Sequence, residues 1–283
     1  MAAAQDKASC GCGGEVRAEG FYTTDLFPGG DMPEPDWGTR LTLEPRWSAR
    51  LGGKWRFRPW VRSVIERYRH WSDRDLVRWT VGADLKRGSH RLRFYRGWTR
   101  DELYFPSAIG DARLDRVGGG GEVRLGLGSA WMVEFGAEVE REDFVPIHDA
   151  RDDTRWTWRT SLERGFGVER RLRLVHLYRR SDSASHLYGY EQNAARLEAS
   201  WRVGGWDFSG QGEAGLRNYR TGLSYASNFG RQDDRWRARG ALGRLITPAL
   251  ALQAFGEARK NDSTRARKNY HVTTAGLALM FAR

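Results

Sequence analysis

From residue 39 to residue 51, Leu41, Leu43, Pro45, Trp47, Ala49 and Leu51 interleave with Arg40, Thr42, Glu44, Arg46, Ser48 and Arg50. A period of two sends successive side chains to opposite faces of a β-strand. The pattern recurs over residues 15–22, 39–51, 54–68, 76–86, 90–101, 114–127, 130–142, 154–164, 168–180, 188–202, 206–219, 235–246, 249–260 and 270–282. These fourteen predicted strands are mostly longer than the roughly 5–6 residues usual in globular sheets. With almost no sequence left for a second layer, a sheet closed on itself is the expected solution.

The connectors alternate as regularly as the residues. Short ones fall at Gly52-Gly53, Arg87-Gly88-Ser89, Gly128-Ser129, Gly165-Phe166-Gly167, Val203-Gly204-Gly205 and Thr247-Pro248. Glycine there supplies the positive φ of tight hairpins. Between them lie longer polar stretches at 25–36, 70–75, 102–113, 143–153, 181–187, 220–234 and 261–269. This predicts an all-β, antiparallel up-and-down transmembrane β-barrel of about fourteen strands, with short periplasmic turns and longer extracellular loops. Both chain ends then lie on the short-turn rim. Gly118-Gly119-Gly120-Gly121 falls inside a predicted strand. No Lys and Ser or Thr on a following helix makes it a phosphate loop, so a bend in the wall is expected.

Composition agrees once alternation is allowed for. The 283 residues carry 29 % charged side chains and a net charge of +11, with a mean hydropathy of −0.69. A barrel alternating lipid-facing and lumen-facing residues has a low average hydropathy. No run approaches the roughly 18 apolar residues of a membrane helix. A two-layer sandwich also alternates, but has no reason to obey the connector rule. Residues 1–13 are expected to form a flexible tail and 14–283 a single barrel. The opening Met-Ala-Ala-Ala-Gln lacks the apolar core of a signal peptide, as expected of a processed chain given a new initiator Met or of a numbering that begins after cleavage. Cys10 and Cys12 lie in that tail without enough neighbouring ligands for a metal.

The closing segment, Tyr270-His271-Val272-Thr273-Thr274-Ala275-Gly276-Leu277-Ala278-Leu279-Met280-Phe281, resembles the last strand of bacterial outer-membrane β-barrels. Ala275, Leu277, Leu279 and Phe281 share a face near an aromatic end, although Ala282-Arg283 follow. A looser likeness covers Phe229-Gly230-Arg231-Gln232-Asp233-Asp234, Pro248 and Lys260-Asn261-Asp262-Ser263. It resembles porin-like barrels and the barrels of surface lipoprotein assembly modifiers, without the latter's helical repeats. The resemblance implies a Gram-negative outer-membrane location and contact with membrane lipid and lipopolysaccharide. It also implies recognition of the last strand by the barrel-assembly machinery, and a periplasmic or lipoprotein partner.

Charges on the polar strand faces would each cost roughly 2–4 kcal/mol at the bilayer midplane, so they are expected to face a lumen. The lumen and selectivity candidates are Arg56, Arg58, Arg62, Arg235, Arg237, Arg239, Glu134 and Glu138. Arg235, Arg237 and Arg239 form a basic strip with no acid at the positions between them on that face. Rings of basic side chains favour anions, whereas Arg–Glu ladders would brace and plug the bore. Trp37, Trp55, Trp71, Trp131, Trp206 and Trp236 fall near strand ends, where indoles favour the membrane boundary. The charges are spread over every strand and interleaved with acids, unlike a nucleic-acid patch. His70 with Ser72 and His186 with Ser185 lack an orienting third residue, so no catalytic site, metal or cofactor is expected. The acidic clusters Asp149, Asp152, Asp153 and Asp233, Asp234 are expected in solvated loops. The expected role is a channel for small polar, anionic solutes. The alternatives are an export or assembly barrel with a periplasmic partner, and a barrel plugged by salt bridges.

Overall fold

The computed structural model describes residues 11–24, 35–70, 75–101, 112–144, 152–167, 169–184, 188–221, 228–265 and 268–282. Fourteen strands run in chain order: β1 (Gly11–Thr23), β2 (Asp36–Arg50), β3 (Trp55–Tyr68), β4 (Leu76–Arg87), β5 (His90–Asp101), β6 (Ala112–Leu127) and β7 (Trp131–Phe144). They continue as β8 (Asp153–Gly165), β9 (Arg170–Ser183), β10 (Tyr190–Val203), β11 (Trp206–Tyr219), β12 (Gln232–Thr247), β13 (Leu250–Ser263) and β14 (Tyr270–Ala282). Each pairs antiparallel with its sequence neighbours, and β1 pairs with β14 from Glu15↔Ala282 to Thr23↔Thr274. Closure leaves no exposed sheet edge.

Connectors on one rim span two to four residues and those on the other six to twelve. Gly53, Gly88, Gly128, Gly167, Gly204 and Gly205 have φ between 55° and 83° on the short-turn rim. The β12–β13 turn has no such glycine. There the Thr247 hydroxyl accepts from the Ala249 and Leu250 amides at 3.3 and 3.1 Å.

The large apolar side chains point outward. Phe94 is 60 % exposed and Leu277 59 %. Inside, aromatics lie flat across glycines on the neighbouring strand. A Cβ at Gly38, Gly82, Gly118 or Gly276 would come within 2.4–2.7 Å of the ring of Phe21, Trp60, Tyr95 or Phe255 respectively. Each pair is in direct register. Gly118 is thus explained by close approach of Tyr95. Gly120 is crowded by the Ala137 carbonyl, 2.5 Å from where its Cβ would stand. The four-glycine run keeps unbroken register on both sides, so no bulge forms there.

Several sequence expectations shift. β1 begins at Gly11, so Gly11–Gly13, assigned to the tail, belong to the wall, and Cys12 is an exposed residue of β1. Residues 1–10, with Cys10, lie outside the described residues. Asp153 and Asp233, expected in solvated loops, lie in β8 and β12. Asp153 accepts from the Ser181 hydroxyl at 2.5 Å, and Asp233 is buried against Arg231 at 2.6 Å. Asp149, Ser72, Ser185 and His186 also lie outside the described residues. Pro45 sits mid-strand, unusual where every strand is paired. The β2–β3 register has gaps at residues 44–45, where Pro45 lies, and 47–48, where Pro59 of β3 stands opposite Trp47.

Candidate functional site: the charged lumen

Alternation places the lumen residues and register decides their partners. On β7, Glu134, Glu138, Glu140 and Glu142 all face inward, four carboxylates within nine residues. Alone they would repel one another. Arg124 on β6 and Arg173 on β9 each come 2.7 Å from Glu134, which is 5 % exposed, with Arg159 at 3.6 Å. Arg155 on β8 reaches Glu142 at 2.7 Å and Glu140 at 3.1 Å, and Arg116 reaches Glu142 at 3.0 Å. The Tyr95 hydroxyl lies between Glu138 (2.6 Å) and Glu140 (2.5 Å). Guanidinium forks suit such shared carboxylates because they offer several donors in one plane. Glu134 therefore sits at the centre of a brace.

The opposite balance holds across β2–β5. Arg50, Arg56, Lys86 and Arg91 are successive register partners on four adjoining strands and form one row of cations inside the wall. Asp84, the nearest acid, is held by Arg91 at 2.6 Å and Arg93 at 2.8 Å. Its own cross-strand neighbour Arg58 is left out. Among the described residues, Arg50, Arg56, Arg58 and Lys86 have no carboxylate within 4.0 Å, while Arg62 reaches Glu44 only at 3.8 Å. A lumen cavity of about 560 Å³ opens here, lined by eight Arg or Lys and five carboxylates, so its walls are net cationic. A second of about 240 Å³ includes Arg155, Arg159, Arg179 and Arg196. A third of about 360 Å³ has Arg17, Arg171, Arg173 and Arg239 against the single acid Glu198.

The sequence candidates divide accordingly. Arg56, Arg58 and Arg62 share one inward face, and Arg58 and Arg62 line the large cavity. Arg235, Arg237 and Arg239 also share a face, but they are not a uniform strip. Arg237 is 2.5 Å from Glu257, Arg235 is 3.4 Å from the Tyr270 hydroxyl, and Arg239 stands over the Phe255 ring at 5.8 Å. The acid lacking along β12 comes from β13. Glu138 lines two cavities and Glu134 none of the three. Sequence reading missed Lys86, Arg116 and Arg173. On β9 the inward set includes Val175 and Leu177, which blurs the alternation that would have revealed Arg173. For Lys86 and Arg116 the signal existed, two residues from the inward Asp84 and Gly118.

Trp37, Trp55, Trp131, Trp206 and Trp236 face outward. Trp55, Trp131 and Trp206 open their strands at the short-turn rim. Trp71 lies outside the described residues. Among the described residues no three His, Cys, Asp or Glu gather as a metal site.

No family model and no curated protein matches the chain in sequence. Solved structures do match its shape. An anion-selective porin from Comamonas acidovorans aligns with a TM-score of 0.56 at 12 % identity, covering 98 % of this chain and 100 % of that one. The outer membrane channel DcaP of Acinetobacter baumannii gives 0.56 at 10 %, covering 99 % of each. OmpT, an outer membrane protein of Vibrio cholerae, gives 0.56 at 9 % in its trimer form, covering 98 % and 100 %. Taken with the closed fourteen-strand wall, these likenesses establish that the chain has the fold of the outer-membrane porin β-barrels.

Proposed function

We propose that the chain is a non-enzymatic outer-membrane channel of a Gram-negative cell, passing small polar solutes with a preference for anions. The observation that carries this reading is the Arg50–Arg56–Lys86–Arg91 row, whose first three members have no carboxylate within 4.0 Å among the described residues. Fixed, uncompensated cations along a polar passage raise the local anion concentration. The net cationic lining of all three lumen cavities supports the same sign, as does the fold shared with a porin described as anion-selective. The short-turn rim is then periplasmic and the outward apolar face meets lipid and lipopolysaccharide. β14, with Leu277, Leu279 and Phe281 outward, is the strand offered to the assembly machinery.

Single-channel recording in planar bilayers under a tenfold KCl gradient tests this. The expected reversal potential has the sign of chloride preference. Potassium preference, or a folded barrel with no conductance, refutes the proposal. A second reading, a lumen plugged by its own ion pairs, is favoured by the brace around Glu134, Glu140 and Glu142. It predicts the second of those failures.

A further inference from the structure

The outer face handles its charges differently at its two rims. Near the long loops, most outward charges neutralise one another, although Arg69 and Arg141 are exposed with no carboxylate within 4.0 Å among the described residues. Arg67 lies 2.6 Å from Asp75, Arg180 3.0 Å from Asp182, Arg220 3.1 Å from Glu191 and Lys260 2.6 Å from Asp262. At the short-turn rim, Arg87, Arg164 and Arg244 are exposed and have no carboxylate within 4.0 Å among the described residues. Each instead lies over the indole of its direct cross-strand partner. Arg87 is 5.4 Å from the Trp55 ring centre, Arg164 5.0 Å from Trp131 and Arg244 5.2 Å from Trp206. The pairs recur on β3/β4, β7/β8 and β11/β12, every fourth strand.

Three repeats of one geometry call for one chemical reason. A guanidinium resting on an indole face keeps its in-plane N–H donors free, and that planar fork fits two oxygens of a phosphodiester. The indole fixes the depth, since tryptophan settles where hydrocarbon gives way to headgroups. A cation at that depth without a carboxylate is complemented by an anion carried in the lipid. We propose that the three Arg–Trp pairs are binding sites for phospholipid phosphate in the periplasmic leaflet, one headgroup at each. This rests on the outer-membrane reading above. Lipopolysaccharide is not the ligand proposed, because its leaflet adjoins the rim where most of the outward bases already have acids.

Native mass spectrometry of the full chain in detergent tests the assignment, with phosphatidylglycerol, diacylglycerol of the same acyl chains and lipopolysaccharide as separate probes. The wild type is expected to retain up to three phosphatidylglycerol molecules and no diacylglycerol. Arg87→Gln, Arg164→Gln and Arg244→Gln together should weaken phosphatidylglycerol binding about tenfold or more, from the strength of charge-assisted hydrogen bonds. Arg67→Gln with Arg180→Gln should leave it unchanged. The corresponding Lys substitutions keep the charge and lose the stacked fork, so their retention should be intermediate; they also serve if the Gln variant fails to fold. Undiminished phosphatidylglycerol retention in a folded Gln or Lys variant overturns the proposal. So does equal retention of diacylglycerol, equal loss in the Arg67/Arg180 variant, or lipopolysaccharide binding that the Gln variant abolishes. The readout needs no current, so a closed bore and a missing lipid site are told apart.

Discussion

Two stretches of the same inner wall use the same residue types to opposite ends. On β6–β9, each inward glutamate of β7 lies beside an arginine or a tyrosine hydroxyl, and the result is a brace. On β2–β5, Asp84 is taken by Arg91 and Arg93, so Arg58 and the row above Arg91 remain uncompensated. The difference lies in cross-strand register. Arg124 and Arg155 have Glu134 and Glu140 as register partners and contribute stability, whereas Arg50, Arg56 and Lys86 have other cations as register partners and contribute field.

The largest effect expected from breaking this contrast is at its most buried member. Glu134→Ala leaves Arg124 and Arg173 facing each other without their shared carboxylate, and should destabilise the barrel by about 2–4 kcal/mol, part of the full penalty because both arginines touch water. Urea unfolding monitored by tryptophan fluorescence measures it. A loss below about 0.5 kcal/mol, the range of ordinary surface changes, shows that there is no brace.

Gly118→Val should cost about 1–3 kcal/mol by overpacking against Tyr95, and should displace the phenol from Glu138 and Glu140. Wild-type stability in that variant contradicts the flat aromatic–glycine contact.

The cation row predicts a different phenotype. Arg56→Gln, Arg58→Gln and Lys86→Gln together should shift the reversal potential toward the neutral value while moving stability by no more than about 0.5 kcal/mol per site. Arg155→Gln should instead cost stability, with a smaller shift of selectivity than the triple variant. If the two variants behave alike, the distinction between the walls is lost. Raising the salt sharpens the test. Anion preference should fade between 0.1 M and 1 M KCl, as the screening length falls from about 10 Å to about 3 Å.

The smallest effect belongs to an exposed pair. Arg202 and Asp207 meet at 2.6 Å beside the β10–β11 turn, with side chains 53 % and 39 % exposed. Asp207→Asn should leave stability nearly unchanged in the same urea titration, because water screens the pair. A larger loss argues that this rim is less wet than its exposure indicates.

The strands, their number and the alternation of short and long connectors were legible from residue order, because side-chain period and turn glycines are local properties. Strand limits moved by one to four residues at most ends; β1, begun four residues earlier at Gly11, stretches through glycines that show no alternation. The lumen candidates were legible as a face and illegible as a network. Residue order shows no acid between Arg235 and Arg239, yet Glu257 on the neighbouring strand neutralises Arg237. The four-glycine run read as a bend, because the ring crossing Gly118 comes from another strand.

The sequence by itself determined a closed antiparallel wall, its count of strands, and for most strands which face points outward and which inward. All of that follows from a period of two and from chain connectivity. Only the tertiary structure decided which charges cancel and which remain. The Glu134 carboxylate stands 2.7 Å from the Arg173 guanidinium and 39 residues from it along the chain, and Coulomb energy depends on the short distance through space.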